Sequence, residues 1–330
     1  MVVRRRCRIV LPVLAVVALF AACGPVSQPG RPSSGPGSAA GYIAPAATSV
    51  AVGDGDAGTR VWTYVPTTLK GGTKAPVVVL LHGFELLSPE IYQGLIDHLT
   101  KQGVIVVFPQ FNKGGFGIFN DTDQNAMLDR ALTATNLAFT NLGAKADRSK
   151  VYLFGHSLGG LLASVWTAKG GVAPKGIVLA NPSTDAGSGI PDFVKGLVTV
   201  IPIPFAPLVP LTTAPTVVLT GDADTIAPPA QSTGLYDLLT GASARSVFEL
   251  QADTHGQPAI QADHMAPIQS QGILPDFIMN AFGGDAEDDV ADWRYYEAAL
   301  DQLMAGTTIP TFALGTWSDG VAVMPVVRLR

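Results

Sequence analysis

The stretch KVYLFGHSLGGLLASVW, Lys150–Trp166, decides the fold. Its first residues form an apolar, strand-like run of the kind a sheet covered on both faces requires. The run breaks into Gly155-His156-Ser157-Leu158-Gly159-Gly160, and an apolar helical pattern resumes at once. Gly155, Ser157 and Gly159 fit G-x-S-x-G at a strand–turn–helix junction, the context that motif needs. Neighbours without side chains permit a sharp turn, and the hydroxyl then projects above the sheet at the positive end of a helix. The alternative is a glycine-rich turn without chemistry, so the rest of the chain has to supply a base, an acid and oxyanion donors.

Around this junction short apolar runs alternate with helical stripes. Strands are expected at Arg60–Val65, Ala75–Gly83, Val104–Pro109, Val151–Phe154, Gly176–Ala180, Thr216–Thr220 and Ser246–Leu250. Ser88-Pro89-Glu90 supplies a cap, a first-turn proline and an acid near the positive end, which predicts a helix closed by Gly103. Leu128, Leu132, Thr135, Phe139 and Leu142 form a second stripe closed by Gly143. A third helix is expected from Leu158 to about Lys169. Strands alternating with helices predict a mostly parallel central sheet with helices on both faces, with functional groups at the carboxyl ends of the strands.

Candidate site residues follow the strands. LLHGF, Leu80–Phe84, ends one strand, and the backbone N–H of Phe84 pairs with that of Leu158 as the expected oxyanion donors. His82 sits in that turn and is expected to organise it. His156 points away from the site on a sharp turn, and His98 falls on a helix surface. TVVLTGDADTIAPP, Thr216–Pro229, offers two carboxylates, Asp222 and Asp224. The segment QADTHGQPAIQADHMAP after the strand ending at Leu250 offers two imidazoles. His255, on a short loop beyond the strand, is taken as the base, and His264, deeper in the chain, is the alternative. An imidazole suits the task because its ordinary pKa near 6.5 lets it accept and return a proton at neutral pH.

Serine, acid and histidine in this order resemble an α/β-hydrolase over about residues 58–305. DTIAP, Asp224–Pro228, and the Phe-Glu-Leu-x-x-x-Thr-His phrasing of Phe248–His255 are similar to cutinase-like and chlorophyllase-like esterases. The resemblance implies Ser157, Asp224 and His255 as a catalytic triad, with Asp222 as a turn residue. It also implies hydrolysis of small-molecule or lipid carboxylic esters without cofactor or metal. LANPSTDAGSG, Leu179–Gly189, lacks the tryptophan that polyester-degrading members tend to carry. An apolar, proline-rich insertion follows around residues 184–213. It is either a lid forming an acyl-binding wall or an ordinary buried insertion.

Composition bounds the rest. The chain is 47% hydrophobic and 14% charged, with a net charge of −5. With no basic run after the N-terminus, nucleic acid is not an expected partner. Arg4, Arg5, Arg6 and Arg8 precede the apolar stretch Ile9–Ala22, which predicts an export signal over 1–22. LFAACG, Leu19–Gly24, resembles a bacterial lipoprotein signal, which implies acylation of Cys23 and a protein on the outer face of the cell membrane, otherwise secreted. Cys7 would leave with the signal, so the mature domain would hold no disulfide. Residues 23–45, rich in Pro, Gly and Ser, are expected to be a disordered tether, followed by one catalytic domain over 46–330 in a monomer. Acyl transfer in the envelope and peptide hydrolysis use the same triad. A catalytically inactive binding lipoprotein is the rival of another class.

Overall fold

The computed structural model describes residues 24–114, 121–187, 199–269 and 288–330. Residues 1–22, expected to be an export signal, and Cys23 lie outside the described residues, as does the 188–198 part of the insertion. The described strands are β1 (Ala47–Val52), β2 (Val61–Pro66), β3 (Ala75–Leu81), β4 (Ile105–Pro109), β5 (Ala146–His156), β6 (Gly176–Ala180), β7 (Thr216–Gly221), β8 (Arg245–Leu250) and β9 (Val327–Arg328). They form one sheet in the order β1-β2-β4-β3-β5-β6-β7-β8-β9. β4, β3, β5, β6, β7 and β8 run parallel, while β1, β2 and β9 join antiparallel at the edges. This is the α/β-hydrolase fold expected from the chain.

Alternation along the strands divides the core into two layers, because successive side chains leave a strand on opposite faces. Val78, Leu80, Val106, Phe108 and Phe154 meet Leu95, Ile96 and Leu99 of α1 (Gln93–Lys101) and Ala299, Leu300 and Leu303 of α5 (Glu297–Met304). Val77, Val79, Leu81, Val107 and Leu153 meet α2 (Gln124–Leu142) and α3 (Leu158–Ser164) on the other side. Both faces are covered, so the central strands read as continuous apolar runs. Each fully buried Val or Leu contributes about 1.5–3 kcal/mol.

Local details depart from expectation at the helix starts. Ser88 makes no side-chain cap bond; Pro89–Tyr92 forms a 3-10 turn and α1 opens at Gln93. α2 begins ahead of its expected stripe, because the Asp123 carboxylate accepts the N–H groups of Asn125 and Ala126. α3 stops at Ser164, and a 3-10 turn at Thr167–Lys169 completes the expected helix. The edge strands β1 and β9 carried no apolar alternation to reveal them, and both are largely exposed. α4 (Pro229–Leu238) packs behind β7 and β8.

The expectation of a disordered tether is corrected for residues 24–45, which lie against the body. The Arg31 guanidinium pairs with Glu297 and donates to the Gly37 carbonyl, and the Gly37 N–H donates to Asp301. His98 is also corrected: it is 1% exposed, with Nε2 3.1 Å from Asp301 and Nδ1 3.0 Å from the Tyr42 hydroxyl. Burial pushes the Glu297 carboxyl up to about 7, against the opposing pull of His98 and Arg31. Farther along, the Gln257 N–H donates to the Val26 carbonyl at 2.7 Å. Polar residues without an apolar stripe thus acquire fixed positions through buried ionic partners contributed by α1 and α5. No helix among the described residues is long and apolar enough to cross a membrane.

Candidate active site

The carboxyl end of β5 delivers Ser157 at φ 55, ψ −121, a backbone region costly for a residue with a side chain. The turn is feasible because of its glycines. A Cβ on Gly155 would lie 2.4 Å from the Gly159 carbonyl oxygen, and one on Gly159 would lie 2.1 Å from that of Leu81. The Ser157 N–H donates to the Ala180 carbonyl, and its own carbonyl accepts from Gly160 and Ser183. The elbow is therefore fixed against β6 and the loop after it.

Ser157 Oγ lies 2.8 Å from His264 Nε2, and His264 Nδ1 lies 2.8 Å from Asp224 Oδ2. All three residues are buried. The other Asp224 oxygen accepts the N–H groups of Ile226 at 2.9 Å and Ala227 at 2.7 Å, which fixes the carboxylate plane. The carboxylate can therefore take the Nδ1–H of His264, leaving Nε2 to accept the serine proton. Asp222 is exposed and accepts the Ala252 N–H, holding β7 and β8 together at their ends.

The expectation of His255 as base is corrected. Its Nε2 pairs with Asp319 at 2.8 Å on the surface, both side chains being 36% exposed. Asp253 is the cause: it accepts the His255 N–H and the Trp317 indole N–H, turning this loop toward the C-terminal tail. The chain then pairs Asp253 with Ile260 and returns to the sheet carrying His264. The context of the two imidazoles held the signal. Ala262, Met265 and Ile268 around His264 are buried, whereas His255 lies among polar residues.

The turn after β3 packs directly on the elbow: a Cβ on Gly83 would stand 3.4 Å from the Ser157 Cβ. Phe84 and Leu158, the expected oxyanion donors, line one pocket with Ser157 and His264. Leu158 opens α3, where backbone N–H groups have no intrahelical acceptor. His82 is stacked flat on Phe111 with ring centroids 3.9 Å apart, and its Nδ1 bonds the Gly83 carbonyl. Burial holds its pKa down to about 4, so it is a neutral turn organiser far from the role of base.

The pocket opens to solvent. Leu86, Met127, Val200 and Met265 give it apolar walls, while Thr122, Gln124, Ser183 and Asp185 supply polar groups. Part of the insertion therefore walls the site. It is held there by reciprocal backbone bonds, with Ile201 donating to Thr122 and Gln124 donating to Ile201. Asp263 was not singled out in the sequence. It is buried beside His264, and burial raises its carboxyl to about 6. Among the described residues no cluster of three or more His, Cys, Asp or Glu is placed to hold a metal ion.

Over part of its length the chain is similar to known hydrolases. The family described as serine aminopeptidase, S33, matches residues 72–212, fewer than half of the chain. Feruloyl esterase B of Neurospora crassa is 30% identical over 115 residues, covering 33% of this chain and 39% of the relative. The chain thus matches well under half the length of that curated relative. Est1E from Butyrivibrio proteoclasticus is 18% identical, with a TM-score of 0.45 over 63% of this chain and 90% of that one.

Proposed function

We propose that the protein hydrolyses carboxylic esters through an acyl-enzyme on Ser157. The observation that carries this is the continuous line from Ser157 Oγ through His264 to Asp224, with both bonds at 2.8 Å. Ser157 attacks the ester carbonyl while His264 Nε2 takes its proton, and Asp224 stabilises the resulting imidazolium. The N–H groups of Phe84 and Leu158 receive the oxyanion, each such donor contributing about 2.7–4 kcal/mol in the transition state. His264 returns the proton to the leaving alcohol, and water then releases the acid by the reverse sequence.

Apolar walls of Leu86, Met127, Val200 and Met265 favour a hydrophobic acyl group. The name of the curated relative makes feruloyl esters a sensible member of the substrate panel. Hydrolysis of p-nitrophenyl esters of graded acyl length, with Ser157→Ala as the control, tests the activity. Turnover that survives Ser157→Ala, or absent turnover by the folded wild type across the panel, would overturn it. A matched panel of p-nitroanilides separates esterase from peptidase.

Export and acylation of Cys23 belong to the same proposal, supported by LFAACG at Leu19–Gly24. Only Gly24 and Pro25 separate Cys23 from Val26, whose carbonyl is bonded to Gln257. An acylated Cys23 would hold the domain close against the lipid surface. The intact mass of detergent-extracted protein should show the acyl chains, and Cys23→Ala should release the protein from the membrane fraction.

A further inference from the structure

Three pieces of the site come from distant parts of the chain: the Gly83-Phe84 turn, the His156-Ser157 elbow and the loop bearing His264. Tyr92 and His156 touch all three. The Gly83 N–H lies 2.9 Å from the Tyr92 hydroxyl, which lies 2.8 Å from His156 Nδ1. His156 Nε2 lies 2.9 Å from the His264 carbonyl oxygen.

The donors along this path are determined by chemistry. A carbonyl only accepts, so His156 carries its proton on Nε2 and its Nδ1 is the acceptor. The Tyr92 hydroxyl therefore donates to Nδ1, and its lone pair receives the Gly83 N–H. Every bond points the same way only if His156 is neutral. A charged ring would place a second donor against the Tyr92 oxygen and leave the phenolic proton without a place on this path. Burial, then the nearby His264, hold the His156 pKa well below its ordinary value. The Pro89–Tyr92 3-10 turn also acquires a purpose: it delivers Tyr92, 1% exposed, under the elbow before α1 begins.

The geometry points to Tyr92 and His156 as positioning residues that lock the oxyanion turn, the nucleophile and the base loop into one unit through three directed hydrogen bonds. Neither touches the reacting atoms. Each acts through a neighbour: Gly83 precedes the oxyanion donor Phe84, His156 precedes Ser157, and His264 is held by its own carbonyl. This inference rests on the ester-hydrolase proposal for its kinetic consequence.

The test uses p-nitrophenyl butyrate with the full chain. Tyr92→Phe keeps the ring and removes the bridging hydroxyl. It should lower kcat by about tenfold or more with KM changed by less than about threefold, since small misplacement of reacting groups acts mainly on the chemical step. His156→Leu should do the same. His156→Gln offers an amide N–H and an amide oxygen and should recover most of the loss. Equal kcat for wild type, Tyr92→Phe and His156→Leu would overturn the positioning role, as would His156→Gln being no better than His156→Leu. Imidazole ¹⁵N NMR of the wild type gives an independent reading, with His156 assigned by its loss in His156→Gln. It should show a neutral Nε2–H ring across pH 5.5–8, and a ring that titrates there or carries the proton on Nδ1 would contradict the lock. If the wild type turns over no ester, the functional proposal fails while the NMR result still decides the lock.

Discussion

His264 and His255 both follow β8, yet only His264 reaches Ser157, at 2.8 Å, while His255 is paired with Asp319 at the surface. The carbonyl of His264 is tied to His156, so the base loop and the nucleophile elbow are joined by side chain and backbone together.

His264→Ala should therefore lower kcat/KM for p-nitrophenyl butyrate by about 10⁴ or more, in the range seen when a triad member is removed. His255→Ala should stay within about twofold of wild type. Comparable losses in the two variants, measured at the same pH, would contradict the assignment.

The two candidate carboxylates should separate in the same way. Asp224→Asn leaves the shape intact but cannot favour the required tautomer of His264, and kcat should fall by about 10³–10⁴. The Asp222 carboxylate accepts the Ala252 N–H. Its replacement by Asn should leave kcat nearly unchanged and cost a little thermal stability.

Asp263 gives the protein a pH dependence of stability with an unusual sign. Its carboxyl is raised to about 6 by burial, so the folded state holds this proton more tightly than the unfolded chain. The contribution is fully present below about pH 4 and is lost as pH rises from about 4 to about 6. Asp263→Asn should remove that part of the slope. Thermal melts across this range check it, and identical slopes for the two proteins would contradict it.

Met127 is fully buried on α2 and also walls the pocket. Met127→Ala should lengthen the preferred acyl chain, read as a shift in the kcat/KM maximum across the p-nitrophenyl series. The same change should cost about 2–5 kcal/mol of stability, as large-to-small core replacements do. An unchanged chain-length profile would remove Met127 from the acyl wall.

Arg31→Met should destabilise the fold by about 1–3 kcal/mol in urea titrations, because Glu297 would lose its hydrogen-bonded guanidinium and keep only His98 beside it. Adding Glu297→Gln should recover much of the loss. A neutral Arg31→Met would show that the Arg31–Glu297 pair adds nothing to stability.

The central strands were legible because the sheet is covered on both faces, which turns β3, β4 and β7 into unbroken apolar runs. Ser157 was legible from steric constraint, since only glycines fit at Gly155 and Gly159. The edge strands β1 and β9 bury little, so their residues carry no alternation. The base was harder because chain distance from β8 favours His255, whereas Asp253 and Trp317 divert that loop outward. The segment 24–45 read as a tether because Pro, Gly and Ser dominate it, and what positions Arg31 is a carboxylate from the far end of the chain. Tyr92 falls inside the helix expected between Ser88 and Gly103; its hydroxyl acquires meaning only when Gly83 and His156 are brought around it.

The most direct measurement is the rate at which a fluorophosphonate forms an adduct, mapped by tandem mass spectrometry. Wild type and His255→Ala should both be modified at Ser157 at similar rates, and His264→Ala should react slower by orders of magnitude. An adduct elsewhere than Ser157, or undiminished labelling of Ser157 in His264→Ala, would contradict the account.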